Sequence, residues 1–436
     1  MKILLISPKI KQGHGSIKNE KAKFSVPPIQ LPYLAALTPH DFDVNVIDEN
    51  IDNIDFDERV DLVGITVLTM AAPRAYEIAD KYRKQGVAVV LGGIHPTVLP
   101  EEAIQHADAI VIGEAENAWS QLLGDFQKGD MKKIYSQEEL CKLDSLPFPR
   151  WELLNKNAYF TTNVVQTTRG CPFNCSFCSI SRFFGHKYRR RPLGDVVKEV
   201  EALSGKFLYF SDADIAGSPS HAKKLFKEIT PIKKYWLGDA GIRIAKDDEL
   251  LQLAAKSGCK GLYIGFESLS PSSLQEAGKS QNIIEFYQES IDKLHQHGIS
   301  VGGGFIFGFD SDDKSVFEKT IKFAIESKLD YADFNVLCPY PGTAIHEKMQ
   351  AENRIIETDW SKYFGLHNVV YQPKQMSVEE LQNGCLWAWK EFYSYKSVLK
   401  RFISLPNFTS GINAFAYWTL NLGTRKLISD FGNASL

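Results

Sequence analysis

Residues 169–178 read Arg-Gly-Cys-Pro-Phe-Asn-Cys-Ser-Phe-Cys. The three cysteines, Cys171, Cys175 and Cys178, are separated by three residues and then by two. Thiolates this close on one loop can grip one face of a metal cluster. They are one short of a closed site, because structural zinc takes four ligands and a structural 4Fe–4S cluster takes four cysteines. The nearest further ligand type is His186, eight residues past Cys178. An iron with three protein ligands keeps a position open for a small molecule. A zinc knuckle, or three buried cysteines with no shared ligand, are the alternatives.

The flanks place this run in a fold. Thr-Asn-Val-Val-Gln-Thr-Thr (162–168) is β-branched and reads as a strand, and Gly170 and Pro172 then punctuate a loop. The ligands therefore lie at the carboxyl end of a strand, where α/β folds place active sites. Five more strand candidates follow, at 207–214, 236–243, 261–268, 303–310 and 334–343, with polar residues at their ends. Six strand–helix units over 160–345 indicate a partial (β/α)6 barrel of the TIM type. Upstream, residues 1–130 alternate apolar runs (2–7, 43–48, 61–67, 87–93, 109–113) with helical stretches. That pattern indicates a doubly wound, Rossmann-like parallel sheet, which binds ligands outside the carboxyl ends of its strands. The loops there are 8–30, 66–70, 92–97 and 113–116. Residues 131–159 read as a linker, its end an ordered hinge with Leu146, Phe148 and Trp151 to bury. Residues 346–436 read as a mostly helical domain, notably 377–402. Its aromatic residues Trp387, Trp389, Phe392, Tyr393 and Tyr395 suit a helix core or an apolar substrate channel.

Composition narrows the class. The chain has 436 residues, 44% hydrophobic, with a net charge of −3. The charge gives no reason to expect nucleic acid as a partner. Four of the seven cysteines (Cys141, Cys259, Cys338, Cys385) are scattered, which excludes a secreted disulfide framework. Met-Lys-Ile-Leu-Leu-Ile-Ser-Pro is too short for a signal segment and reads as a buried first strand. No apolar run reaches the ~18 residues of a membrane span. A cytoplasmic protein is expected.

The cysteine run, with Phe177 just before its last cysteine, resembles the cluster motif of radical S-adenosylmethionine (radical SAM) enzymes. The segments Pro-Pro-x-x-Leu-Pro-Tyr-Leu-Ala-Ala (27–36), 63–69, Leu-Gly-Gly-Ile-His-Pro-Thr (91–97) and Val-Ile-Gly-Glu-Ala-Glu (111–116) resemble the cobalamin-binding domain fused ahead of that barrel in many of them. The resemblance runs through residues 1–345. It implies a 4Fe–4S cluster on Cys171, Cys175 and Cys178 whose open iron binds S-adenosylmethionine. It also implies cobalamin on the first domain, a small-molecule substrate, and an electron donor such as flavodoxin or ferredoxin. Cleavage of one S-adenosylmethionine would yield a radical that takes hydrogen from an unactivated carbon. A second would supply the methyl group through cobalamin.

S-adenosylmethionine brings an ammonium, a carboxylate, a ribose and an adenine, and the strand ends offer partners for each. Asp212 is assigned the ammonium, with Asp214 as its alternative or as a helix cap. Arg243 suits the carboxylate, Glu267 the ribose and Tyr340 the adenine, and Phe177 joins the S-adenosylmethionine site as the aromatic of the cysteine motif. Arg189, Arg190 and Arg191 read as a helix start or a clamp for an anionic substrate. For cobalamin the resemblance implies Thr66, the 68–70 loop (Leu68, Thr69, Met70) on the lower face, and Gly92, Gly93, Gly113 and Glu114 beside it. The Asp-x-His-x-x-Gly motif that supplies a histidine to cobalt elsewhere is absent, and His95 is not given that role. The expected function is a cobalamin-dependent radical SAM methyltransferase. The alternatives are a non-methylating radical enzyme of the same architecture, catalysing cyclisation, rearrangement or oxidation, and a binding or sensor protein with a static cluster.

Overall fold

The structure is a computed structural model and describes residues 1–10, 26–137, 139–144, 146–366, 368–405 and 411–433. Most of the expected ligand loop at 8–30 lies outside the described residues. The first sheet comprises β1 (Lys2–Ser7), β2 (Asp43–Asp48), β3 (Leu62–Thr66), β4 (Ala88–Gly92), β5 (Ala109–Ile112) and β6 (Ile134–Ser136). All neighbours are parallel, in the order β2-β1-β3-β4-β5-β6. Alternate side chains of β1 serve opposite faces. Ile3 and Leu5 join the core under helices Gln30–Leu37 and Glu116–Lys128, while Leu4 and Ile6 join the core under Ala72–Lys84. Burial on both faces is why these strands read as continuous apolar runs. The strand order reverses between β1 and β3, and that switch point opens a crevice at the carboxyl edge. β6 falls inside the expected linker. It is a three-residue edge strand, too short to leave a pattern in the sequence.

The second sheet is also parallel, in the order β14-β13-β12-β11-β10-β7. Its strands are β7 (Val164–Val165), β10 (Phe207–Phe210), β11 (Tyr235–Ala240), β12 (Cys259–Glu267), β13 (Ser300–Phe307) and β14 (Tyr331–Val336). These are the six expected strands. A small antiparallel hairpin, β8 (Thr168–Arg169) with β9 (Arg189–Arg190), interrupts the series. Arg189 and Arg190 are therefore strand residues, and the helix begins only at Leu193. With the helical carboxyl-terminal region, the fold is α/β throughout its two sheets, as expected.

The expected helix at 377–402 is two helices, Val378–Phe392 and Tyr395–Ser404. Ser394 breaks it by accepting a hydrogen bond from the Ser397 N–H as an N-cap. The first of the pair covers β14, the edge strand. Cys385, Trp389 and Tyr393 share one helix face, and all three donate to β14 carbonyls: Cys385 and Trp389 to Phe334 O, Tyr393 to Ala332 O at 2.8 Å. Tyr393 Oη also accepts the Ala332 N–H at 3.1 Å. An edge that would otherwise need water or another strand is thereby satisfied. Trp389, Phe392 and Tyr393 are helix core, whereas Trp387 and Tyr395 are exposed. Among the described residues no helix is long and apolar enough to cross a membrane.

Tyr393→Phe should leave both Ala332 backbone groups unpaired at a buried site. The expected loss is ~1–3 kcal/mol of stability, read as a lower denaturant midpoint at unchanged slope.

Candidate active site

The cysteine loop begins where β7 ends early. After Val165 the chain leaves the sheet, and Asp212 pins that exit. Its Oδ1 accepts the Thr167 N–H (2.8 Å), the Thr168 N–H (2.6 Å) and the Thr168 hydroxyl (2.9 Å), and its Oδ2 accepts the Thr167 hydroxyl (2.8 Å). Burial raises its carboxyl to about 6 against those bonds. Both oxygens of Asp212, the residue expected to bind the ammonium, are thus engaged with the β7–β8 junction. Asp214 stands differently. Its Oδ1 accepts the Ala216 N–H at 3.0 Å, a local turn and not the cap of the next helix, whose N-cap is Ser218. Burial raises its carboxyl, while the Gly241 and Ala216 N–H groups, and after them Lys279 and Arg243, draw it down. Its charge also bears on Cys171. Asp214 and Glu267 are the acids whose charges bear on the cysteine thiols, at Cys171 and Cys175 respectively.

The loop is held by its backbone. The Ser176 N–H donates to Ala277 O (2.9 Å), its hydroxyl to Glu276 O (2.8 Å), and the Ile345 N–H donates to Ser176 O (3.0 Å). Gly278, at φ +67°, admits this contact, since a Cβ there would lie 2.8 Å from Asn174 O. All three thiols are half-buried. Burial pushes the Cys171 thiol up and the Cys175 thiol up to about 12, and Lys279 opposes it at both. Such thiols need a cation to ionise, as a thiolate-bound metal provides. The sulfurs interact electrostatically with one another, although among the described residues no three His, Cys, Asp or Glu side chains, the three cysteines included, are grouped as they would be around a metal ion. His186 is exposed.

Glu267 ends β12 in the left-handed region, φ +64°, at a register shift between Gly265 and Glu267. A non-glycine residue held there marks a site built at some cost in strain. Its Oε1 pairs with Lys279 Nζ at 2.6 Å. Gly265 makes room for the pair, because a Cβ there would meet the Glu267 carboxylate and lie 2.9 Å from Lys279 Nζ. Lys279 was not legible from its flanks. Its meaning is its position, between Glu267, Cys175 and Asp214. Arg243 is exposed, its guanidinium 6.0 Å from the ring centre of Phe173 in the cysteine loop. Phe177 packs edge-on against Phe309, centroids 6.5 Å apart, turned to the core. Tyr340 lies in the turn after β14, its phenol raised well above its usual value by burial and then by the Cys338 thiol.

On the first domain, Gly93 is at φ +100°, and a Cβ would lie 3.0 Å from both Val67 N and O. The Thr97 hydroxyl donates to Gly93 O (2.7 Å) and accepts the Gly113 N–H (2.9 Å), which ties the ends of β4 and β5 together. Gly113, at φ +77°, faces open space, whereas a Cβ at Gly92 would make only ordinary contacts. In the 68–70 loop, Leu68 is exposed, Met70 half-buried and Thr69 buried. His95 is fully buried against Tyr76 Oη (2.9 Å) and Glu102. An apolar cavity of about 160 Å³ opens at the switch point, walled by Tyr33, Leu34, Thr66, Gly92, Gly93, Gly113 and Trp119, and by Arg169 and Phe184 of the barrel. That is the size of a cavity that takes one aromatic ring.

Glu114 joins the two domains. Its carboxylate accepts from Arg169 (2.9 Å), from both terminal nitrogens of Arg189 (2.8 and 2.9 Å), and from the Cys141 N–H (3.0 Å). Arg169 also pairs with Glu116. Burial alone would raise the Glu114 carboxyl; Arg189 and Arg169 overcome it and hold it below its usual range. Glu114, expected beside cobalamin, thus lines the cavity and also forms an interdomain clamp. Arg191 pairs separately with buried Glu199 at 2.6 Å, so neither Arg189 nor Arg191 is a solvated helix start.

Comparison with known proteins agrees with this layout. The family model of the radical SAM superfamily matches residues 165–324, and that of the B12 binding domain matches residues 15–123. The chain is 32% identical to the bacteriochlorophyllide d C-12(1)-methyltransferase of Chlorobaculum tepidum, covering 98% of this chain and 94% of that protein. It is 30% identical to the C-8(2)-methyltransferase of the same organism, covering 89% of each. The fold matches that of the radical S-adenosylmethionine methyltransferase TsrM from Kitasatospora setae, solved with cobalamin and a [4Fe-4S] cluster bound, at a TM-score of 0.66 and 17% identity over 99% of both chains.

Glu114→Gln should cost about 3–5 kcal/mol, the usual penalty for breaking a buried ion pair. A carboxyl held low in the folded state stabilises above its unfolded value, ~4.3, and the contribution is lost as pH falls through the lower folded value. The wild-type advantage over Glu114→Gln should therefore be full at neutral pH and shrink in acid below that range. Denaturation midpoints of the two proteins across pH check this.

Proposed function

The chain belongs to the radical S-adenosylmethionine enzymes that carry an amino-terminal B12-binding domain, and on that premise we propose that it methylates an unactivated carbon of a small molecule with the help of cobalamin. The observation that carries the reading is the Glu114–Arg169 pair. Arg169 lies two residues before Cys171, so the pair fixes the start of the cysteine loop beside the ligand edge of the first sheet.

Cys171, Cys175 and Cys178 would hold the cluster. When bound, the cluster supplies the electron that cleaves S-adenosylmethionine and cobalamin carries the methyl group. Asp214 would bind the ammonium of S-adenosylmethionine, and exposed Arg243 its carboxylate. Glu267, steadied by Lys279, would accept from the ribose, with Tyr340 beside the adenine and Phe177 packing the loop behind it. In the first domain Thr66, Gly92, Gly93 and Gly113 would wall the nucleotide end of cobalamin. Leu68, the exposed member of the 68–70 loop, would face the corrin. His95 has no access to cobalt, because its ring is enclosed by Tyr76, Glu102 and Trp360. A flavodoxin or ferredoxin would reduce the cluster in a reducing compartment such as the cytoplasm. The two Chlorobaculum relatives act on bacteriochlorophyllide d, which makes a large, mostly apolar substrate the first class to assay.

The test is anaerobic reconstitution with iron, sulfide and cobalamin. The expected results are a retained cobalamin absorbance, 5′-deoxyadenosine formation, and transfer of label from methyl-labelled S-adenosylmethionine to substrate. Deoxyadenosine without methyl transfer to any accepted substrate would favour a non-methylating radical enzyme. Each of Cys171→Ala, Cys175→Ala and Cys178→Ala should lose most bound iron and all cleavage. Asp214→Asn should weaken S-adenosylmethionine binding roughly ten- to a hundredfold with iron retained, as expected for a lost charge-assisted hydrogen bond. If Asp212→Asn alone produces that selective loss, the assignment within the pair is wrong.

A further inference from the structure

Residues 392–429 contain no Asp or Glu but carry Lys396, Lys400, Arg401, Arg425 and Lys426, in a chain of net charge −3. The structure separates these cations. Arg401 is fully buried, donating to Leu329 O (2.8 Å) and to Asn421 Oδ1 (2.9 Å) with its guanidinium stacked on Phe392. It pins helix Tyr395–Ser404 to the barrel and fixes which face points out. Ser397 and Val398 turn inward with it. The outward face is an apolar stripe at helical spacing, Tyr395 (66% exposed), Leu399 (50%) and Ile403 (73%). Exposed Lys396 and Lys400 run alongside, one residue further on. The next helix, Gly411–Asn433, is held beside it by Phe402 against Trp418, ring centres 4.9 Å apart, and adds Phe415 at 74% exposed.

A core helix would bury this stripe, and an ordinary solvated face would not be apolar. An apolar stripe flanked by lysines, with aromatic residues and no acid, is the pattern of a helix lying in the plane of an anionic lipid surface. We propose that the helix pair Tyr395–Ser404 and Gly411–Asn433 docks on anionic membrane, with Leu399, Ile403 and Phe415 in the acyl boundary and Lys396 and Lys400 against the headgroups. No described helix is suited to span the bilayer, so the contact is peripheral. A second copy of the chain is a poorer occupant. A twofold contact through this face would bring two lysine-flanked stripes together with no Asp or Glu from residues 392–429 to pair them.

Purified full-length protein sedimented with vesicles tests the proposal. It should bind vesicles of phosphatidylcholine with phosphatidylglycerol, leave them as salt rises, and ignore phosphatidylcholine alone. Lys396→Gln/Lys400→Gln and Leu399→Ser/Ile403→Ser should each weaken binding about tenfold or more, with melting temperature and iron content unchanged, since all four side chains are exposed. Failure of the wild type to bind phosphatidylglycerol vesicles at low salt overturns the proposal. So does equal binding by both double variants. A wild-type dimer that Leu399→Ser/Ile403→Ser converts to monomer, with no vesicle binding by either, assigns the stripe to a second copy instead.

Discussion

A buried carboxylate shared by two guanidinium groups holds this molecule's working parts in register. Glu114 leaves the end of β5, and Arg169 and Arg189 approach it from the two strands of the hairpin that carries the cysteine loop. Glu116, paired with Arg169, balances the second positive charge. Buried ion networks add little net stability over apolar packing, yet they penalise every arrangement that leaves a charge unpaired. Two domains joined by a proline-containing hinge could slide on an apolar surface. A placement that matches these four charges is favoured over any that leaves one of them unpaired. The cleft between the sheets inherits its shape from that placement.

The barrel's own site is built the same way, from polar groups buried at strand ends. Asp212 fixes where the chain departs β7, and this sets the start of the cysteine loop. The backbone bonds of Ser176 set its far end. Glu267, in a left-handed conformation, and Lys279, admitted by the missing side chain of Gly265, place one ion pair beside Cys175. None of these groups is free to move without unpairing another, and a site that must hold a cofactor in one orientation needs such rigidity. Of the acids near the loop, Glu267 is paired directly with Lys279, and Asp214 shares the field of Lys279 and Arg243.

Much of this was legible in the chain itself, where the signal is local. Apolar runs buried on both faces placed the five expected strands of the first sheet within a residue of their true limits and located the six of the second sheet less closely, and the cysteine spacing marked the loop. What failed to show depended on partners far away in sequence. Asp212 and Asp214 look equivalent in Phe-Ser-Asp-Ala-Asp; only Thr167 and Thr168 distinguish them. Glu114 reads as one more acid in a ligand loop until Arg169 and Arg189 are brought to it. Lys279 has no motif of its own. β6 is too short to carry a period, and the break at Ser394 follows from a single capping hydroxyl inside an otherwise continuous helical pattern.

The central claim is that the cysteine loop and the ligand edge of the first sheet serve one cleft. Pulsed electron paramagnetic resonance on protein loaded anaerobically with cluster and cobalamin, with the cluster reduced and the cobalt in its paramagnetic state, tests it most directly. Magnetic coupling between the two centres, seen as shared relaxation or splitting, is the result this account predicts. Two signals that relax independently in fully loaded protein would contradict it.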